Sequence, residues 1–251
     1  MRTPDRYSKL SEAEIVQTLS RLRDRVAERF PESGLSRVTE ELLLFAGDAS
    51  ETAAYLQRPN WPVRIGVAIA IAVMGAVLVA AASAVRVSHR VGGIAELAQG
   101  LEAAVNDLVF LGVAIYFLVT IEGRMKRRRA LGALHQLRSV VHIVDMHQLT
   151  KDPERLMSPH ADTASSPDRR MSAPELGRYL DYCSELVSLA SKIAALLVQH
   201  FNDPVVLSAV NEIETLATGL SGKVWQKITL LGRAPSPGRD ADEQLGGGNG
   251  G

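Results

Sequence analysis

Two long stretches without charged residues dominate the hydrophobic pattern of this chain. The first, residues 63–85, has no charge between Arg64 and Arg86. As a helix it would be about 35 Å long, against a membrane hydrocarbon core of about 30 Å. A helix of this length in a soluble protein normally keeps one polar face. We therefore predict that residues 63–85 cross a membrane.

The second apolar stretch is shorter. Its uncharged part is Leu108–Ile121, a length that also suits a buried or re-entrant helix. Extension back to residue 103 takes in Asn106 and Asp107, which can lie among lipid headgroups. Because the first span lies close before it, residues 103–121 are predicted to return across the membrane as a second span.

The flanking charges predict the orientation of this hairpin. Seven basic residues precede the first span or follow the second, whereas the loop 86–102 carries two basic and two acidic residues. The positive-inside rule then places both termini in the cytoplasm. The residues assigned to the membrane boundary are Trp61, Arg64, Arg124, Lys126, Arg127, Arg128 and Arg129. The basic run 126–129 could bind anionic lipid or only set the topology, and the sequence favours the second.

Helical periodicity also marks the segments outside the spans. Ser11 and Glu14 form a capping-box pattern before an apolar stripe that ends at Phe30. A second helix is predicted from Ser36, with a stripe that runs to Leu56, so that residues 1–57 form a helical hairpin. After the second span the pattern continues without proline to about residue 150, as one long rod.

The C-terminal part is predicted to hold two more helices. Ser172 and Glu175 form a second capping box, and Asp203 before Pro204 caps a further helix. The very short connection between these helices makes them antiparallel neighbours. Cys183, the single cysteine, falls in an apolar stripe and is interpreted as a small buried hydrophobe.

The predicted fold class is therefore all-α, a two-span transmembrane hairpin with a cytoplasmic helical bundle built from the N- and C-terminal segments. The predicted domains are an N-terminal hairpin (1–57), the transmembrane hairpin (58–124), an extension helix (125–156), a mobile linker (157–172), a C-terminal antiparallel hairpin (173–232) and a disordered tail (233–251).

The sequence offers few candidates for a metal, catalytic, nucleotide or nucleic-acid site. His135, His142 and Asp145 share one helical face, with Arg138 positioned for an ion-pair ladder to Asp145. A metal site there would need a ligand from another helix, so no metal, cofactor or catalytic residue is predicted. No phosphate-binding glycine motif is present. The chain has zero net charge, and residues 1–57 carry 8 basic against 10 acidic residues, which argues against nucleic acid.

Four segments carry a resemblance to uncharacterised bacterial membrane proteins with two transmembrane helices. They are residues 58–65, 134–154, 179–192 and 203–218. The resemblance implies a bacterial inner-membrane protein and no particular activity.

Two functional hypotheses follow. The first is a membrane-anchored scaffold or regulatory module without catalytic activity, whose cytoplasmic helices bind a partner protein or a second copy. The second is a small oligomeric channel gated by those helices. Small residues four apart in the first span would allow close helix packing, but neither span carries the polar stripe that a pore needs.

Overall fold

The computed structural model describes residues 10–88, 94–151, 153 and 171–232. Within these residues the chain is helical, without a strand, which confirms the predicted all-α class. The helices are α1 (Glu12–Arg29), α2 (Gly34–Gln57), α3 (Trp61–Ser88), α4 (Ile94–Leu149), α5 (Ala173–Val198) and α6 (Pro204–Gly232). The predicted linker, apart from residues 171 and 172, and the predicted tail lie outside the described residues, as does part of the loop between the apolar stretches.

The chain divides into two compact units. One, the bundle unit, takes in Met1–Ala53 and Leu131–Gly251, and the other, the hairpin unit, is Ala54–Ala130. Helices α2 and α4 contribute residues to both. The bundle unit thus joins N- and C-terminal segments that are far apart in sequence.

Local signals set the ends of α1 and α2. The Glu14 amide donates to the Ser11 hydroxyl at 3.3 Å, which confirms Ser11 as the N-cap of α1. Helix α2 begins at Gly34, two residues before the predicted start. Ser33 is the reason, because its hydroxyl accepts the Ser36 amide proton at 3.1 Å and thus caps the helix.

Helices α5 and α6 form an antiparallel pair. Leu176 and Leu180, near the start of α5, pack with Val224, near the end of α6. Both predicted caps are present. The Ser172 amide donates to Glu175 Oε2 at 2.8 Å, and Asp203 Oδ1 accepts amide protons from the first turn of α6. The predicted apolar face of α5 is buried, and the burial extends to the adjoining face that carries Tyr179, Tyr182 and Leu186.

Helix α1 and Phe30, which follows it, pack onto α5. The Phe30 ring lies edge-on to Tyr179 and Tyr182, with centroids 5.3 and 6.2 Å away. Arg25 forms a two-pronged ion pair with Glu185, with Nη1 3.2 Å from Oε1. The predicted α1 stripe (Ile15, Leu19, Leu22, Val26, Phe30) is buried throughout. The bundle unit is therefore one packed body in which α1 covers α5.

The hairpin unit differs because its apolar side chains face outward. Two helical stretches, Gly34–Ala80 and Glu102–Leu149, each contain an 18-residue window long and apolar enough to cross a membrane. The mean hydropathies of these windows are 2.4 and 2.1, and no residue of either window is buried. The sequence prediction of two such helices is confirmed at this level.

Gly34, the first residue of α2, lies directly against the His147 ring of α4 in the bundle unit. A Cβ atom at this position would lie 2.1 Å from Cε1 of the His147 ring. Burial, with the charges of Arg37 and Lys151, lowers the pKa of His147 and favours its neutral form. A neutral ring thus packs against the backbone at the start of α2, where only glycine leaves room for it.

We expect Gly34→Ala to destabilise the protein by about 1–3 kcal/mol, because the added methyl group displaces the His147 ring. The control is Gly219→Ala in α6, where nothing lies within 4 Å of the new Cβ, and which should stabilise the helix by up to about 1 kcal/mol. The stability changes of both variants are measured by thermal unfolding in detergent, with circular dichroism as the probe. In a His147→Ala background the cost of Gly34→Ala should disappear. An equal cost in both backgrounds would contradict the contact.

A candidate site at the charged end of the helical hairpin

Glu122 lies where the second apolar stretch of α4 ends, and it collects polar groups from the start of α3. Its Oε1 accepts a hydrogen bond from the backbone N–H of Asn60 at 3.0 Å, and its Oε2 accepts one from Arg64 Nε at 2.7 Å. Lys126, one turn further along α4, brings its Nζ within 3.0 Å of Oε1. The two polypeptide segments that begin α3 and end the apolar part of α4 are thus joined at one carboxylate.

Lys126 is the buried member of this arrangement. Only 8% of the residue is exposed, and its Nζ also donates to the Arg58 carbonyl at 2.8 Å. A buried ammonium is costly unless a negative charge and further hydrogen bonds compensate it. Glu122 and the carbonyl provide both. We name the set Arg58, Asn60, Arg64, Glu122 and Lys126 the Glu122 cluster.

The cluster keeps its carboxylate charged. The Arg64 guanidinium, the Asn60 amide and the Lys126 ammonium lower the pKa of Glu122 to about 2. The ionised form is therefore the one that these donors bind at neutral pH.

Aromatic rings hold two further arginines beside the cluster. The Arg129 guanidinium lies over the Tyr55 ring at 4.5 Å, and the Tyr55 hydroxyl accepts from Asn60 Nδ2 at 3.3 Å. Arg124 lies over the Phe117 ring at 4.2 Å. Such stacking fixes a guanidinium and leaves the N–H groups at its edge able to bind an anion.

The boundary residues predicted from the sequence thus have different surroundings. Trp61 is 64% exposed, and Arg128 is exposed as well. Arg64 and Lys126 belong to the Glu122 cluster, whereas Arg124 and Arg129 stack on rings, and Arg127 is half-buried and has an interaction partner. Their predicted part in topology remains a prediction.

Sequence reasoning missed Glu122 and Asn60. Glu122 is the one acidic residue among the charged residues of segments 58–64 and 122–129. It also stands four residues before Lys126, the helical spacing at which opposite charges pair. Those two signals could have identified Glu122, but no local pattern indicates that Asn60 would donate to it.

The histidine face of α4 lies in the bundle unit. Arg138 pairs with Glu212 of α6 at 3.1 Å rather than with Asp145 through His142, and Asp145 accepts from Gln148 at 2.7 Å. His135 and Arg138 line a cavity of about 440 Å³ between α4 and α6. Over residues 10–88, 94–151 and 171–232, no three His, Cys, Asp or Glu side chains are grouped to hold a metal ion.

A larger groove of about 520 Å³ lies between α1, α5 and α6. Thr18 lines it from α1, Lys192 from α5, and Trp225, which is 68% exposed, from α6. The Lys192 ammonium bonds to the Ser188 hydroxyl at 2.7 Å. An exposed tryptophan is a residue type that is enriched on surfaces that bind other proteins.

Cys183 is fully buried, and burial raises the pKa of its thiol to about 12. The predicted interpretation of Cys183 as a core residue is confirmed. A thiol in this state is a poor nucleophile, because the reactive species is the thiolate.

No family model, curated protein or solved structure matches this chain. The resemblance to bacterial two-span proteins, and the bacterial location that it implies, stay predictions.

Glu122→Gln should destabilise the hairpin unit by about 1–3 kcal/mol, because it leaves the buried Lys126 ammonium without its counter-charge. Arg138→Gln is the matched control, since its ion pair is exposed on both sides and should contribute at most about 1 kcal/mol. Thermal unfolding in detergent measures both. In the wild type the stabilisation from Glu122 should be complete above about pH 4.5 and be lost as the pH falls toward 2. A variant as stable as the wild type at pH 7 would contradict this role.

Proposed function

We propose that this is a two-span integral membrane protein of a bacterial inner membrane, with both termini in the cytoplasm. In this proposal the hairpin unit anchors the bundle unit, which acts as a scaffold or regulatory interaction module without catalytic activity. The partners are the lipid bilayer and a partner protein or a second copy of the chain.

The observation that carries the membrane anchor is the uncovered apolar surface of the hairpin unit. On α3, Ile65, Ile69, Val73 and Val77 recur every four residues, and each is more than half exposed. The second stretch exposes another such set: Val105, Leu108, Val109, Phe110, Val113, Phe117 and Val119.

The size of this surface favours lipid over water as its surroundings. Full burial of one such side chain is worth about 1.5–3 kcal/mol. Half that value over the eleven side chains just named is on the order of 10 kcal/mol or more, as large as the whole stability of a typical domain, about 5–15 kcal/mol. A bilayer removes this cost.

Orientation can be tested by the reactivity of introduced cysteines. The substitutions are Glu28→Cys in α1, Gln226→Cys in α6 and Gln99→Cys between the apolar stretches, all at exposed positions. In sealed right-side-out vesicles a membrane-impermeant maleimide should label only residue 99, and in inverted vesicles only residues 28 and 226. The unsubstituted chain is the control, because its buried Cys183 should not react. Labelling of all three positions from one side would contradict the proposed topology.

The groove beside Trp225 supports the interaction module. Tryptophan is among the residues that most often dominate the energy of protein interfaces. In the described bundle Trp225 combines a large exposed ring with a neighbouring cavity, whereas Leu44, 69% exposed on α2, lines neither of the two cavities described above.

A photoreactive amino acid placed at position 225 should give a discrete cross-linked product in intact membranes. The same residue at position 44 should give little, because that position lies away from the groove. Mass spectrometry of the product then distinguishes a second copy from a different protein. Absence of a product at 225, or equal products at both positions, would contradict a binding role for the groove.

The channel hypothesis lacks a comparable observation. Residues 65–85 and 108–121 contain no charged side chain, and an ion pathway needs polar groups or a wide water-filled lumen.

A further inference from the structure

The charged end of the hairpin unit carries a large excess of positive charge. Segments 58–64 and 122–129 together hold seven basic residues and one acidic residue. Glu122 is already bound by Arg64, Lys126 and the Asn60 amide. Within the described residues no carboxylate pairs with Arg124, Arg128 or Arg129. The two segments thus hold six more basic than acidic residues, and Arg124, Arg128 and Arg129 are the arginines considered below.

The placement of these arginines fits a particular anion. Arg124 stacks on Phe117, a residue of the second apolar stretch itself, so its guanidinium is held beside the end of that stretch. Arg128 is exposed one helical turn further along. Trp61 stands exposed at the start of α3, in the position of an interfacial anchor. The apolar surface thus lies next to cationic groups. The acyl chains of a phospholipid lie next to its phosphate in the same way.

We propose that Arg124 and Arg128, with Arg129 beside them, bind the headgroups of anionic phospholipids. This inference rests on the proposed membrane span and deepens it, because it names the lipid class that the boundary selects. Each basic side chain near a membrane adds attraction for anionic lipid, and guanidinium groups can bind a phosphate through two hydrogen bonds. A role in topology alone would require no preference among lipids.

The two tryptophans of the chain allow a direct test. Trp225→Phe leaves Trp61, at the charged end, as the only tryptophan. The full chain is reconstituted in vesicles of unlabelled phosphatidylcholine that contain a second, brominated lipid. This lipid is either phosphatidylglycerol or phosphatidylcholine, and its bromine atoms lie near the headgroup. Quenching of Trp61 fluorescence then reports the relative binding of the two lipids beside it.

We expect the brominated phosphatidylglycerol to bind about fivefold more strongly than the phosphatidylcholine, the effect of roughly one basic group per bound lipid. Arg124→Gln combined with Arg128→Gln should reduce this preference to less than about twofold. The charge-matched control, Arg21→Gln with Arg23→Gln in α1, should leave it unchanged. Circular dichroism verifies that each variant is folded.

The possible outcomes separate this inference from the proposal beneath it. Equal quenching by both lipids would overturn the lipid preference and leave the membrane span standing. A preference that survives the double substitution would overturn the assignment to Arg124 and Arg128. Absence of quenching by either lipid would instead overturn the proposed span.

Discussion

The apolar surface of α3 and of the second stretch in α4 is the constraint on which the rest of the structure depends. Its side chains repeat with helical spacing and have no cover within the described chain. Water is an unfavourable surrounding for so large a surface, because the cost is proportional to the area exposed. The charge distribution follows this surface, because basic residues cluster at one end of the two apolar stretches.

The Glu122 cluster shows how polar groups are accommodated at that end. A buried lysine would be unfavourable alone, but a carboxylate and a backbone carbonyl surround the Lys126 ammonium. Removal of the Glu122 carboxylate would leave the Lys126 ammonium without its counter-charge, whereas removal of Lys126 would leave Glu122 paired with Arg64. The cluster therefore joins the start of α3 to α4 by a few short contacts, while the neighbouring arginines carry the excess charge.

Much of the fold could be predicted because it depends on local signals. The apolar stripe of α1, the caps at Ser11, Ser172 and Asp203, and the burial of Cys183 all follow from spacing and side-chain chemistry. The start of α2 was wrong by two residues. Both Ser33 and Ser36 suit an N-cap, and the choice depends on which hydroxyl reaches the free amides.

Features that depend on distant contacts could not be predicted in this way. Two of the three donors to Glu122, Asn60 and Arg64, lie about 60 positions away in the sequence, and Arg138 pairs with Glu212 on another helix instead of with Asp145 on its own. The groove beside Trp225 needs three helices at once. Periodicity identifies which face of a helix is buried, but it does not identify the helix that covers that face.

Alkaline extraction of native membranes tests whether lipid covers the apolar surface of the hairpin unit. At high pH peripheral proteins are released, whereas proteins held by apolar spans stay with the lipid. If lipid covers this surface, the full chain remains in the membrane pellet and is released only by detergent. Recovery of the chain in the alkaline supernatant would contradict it.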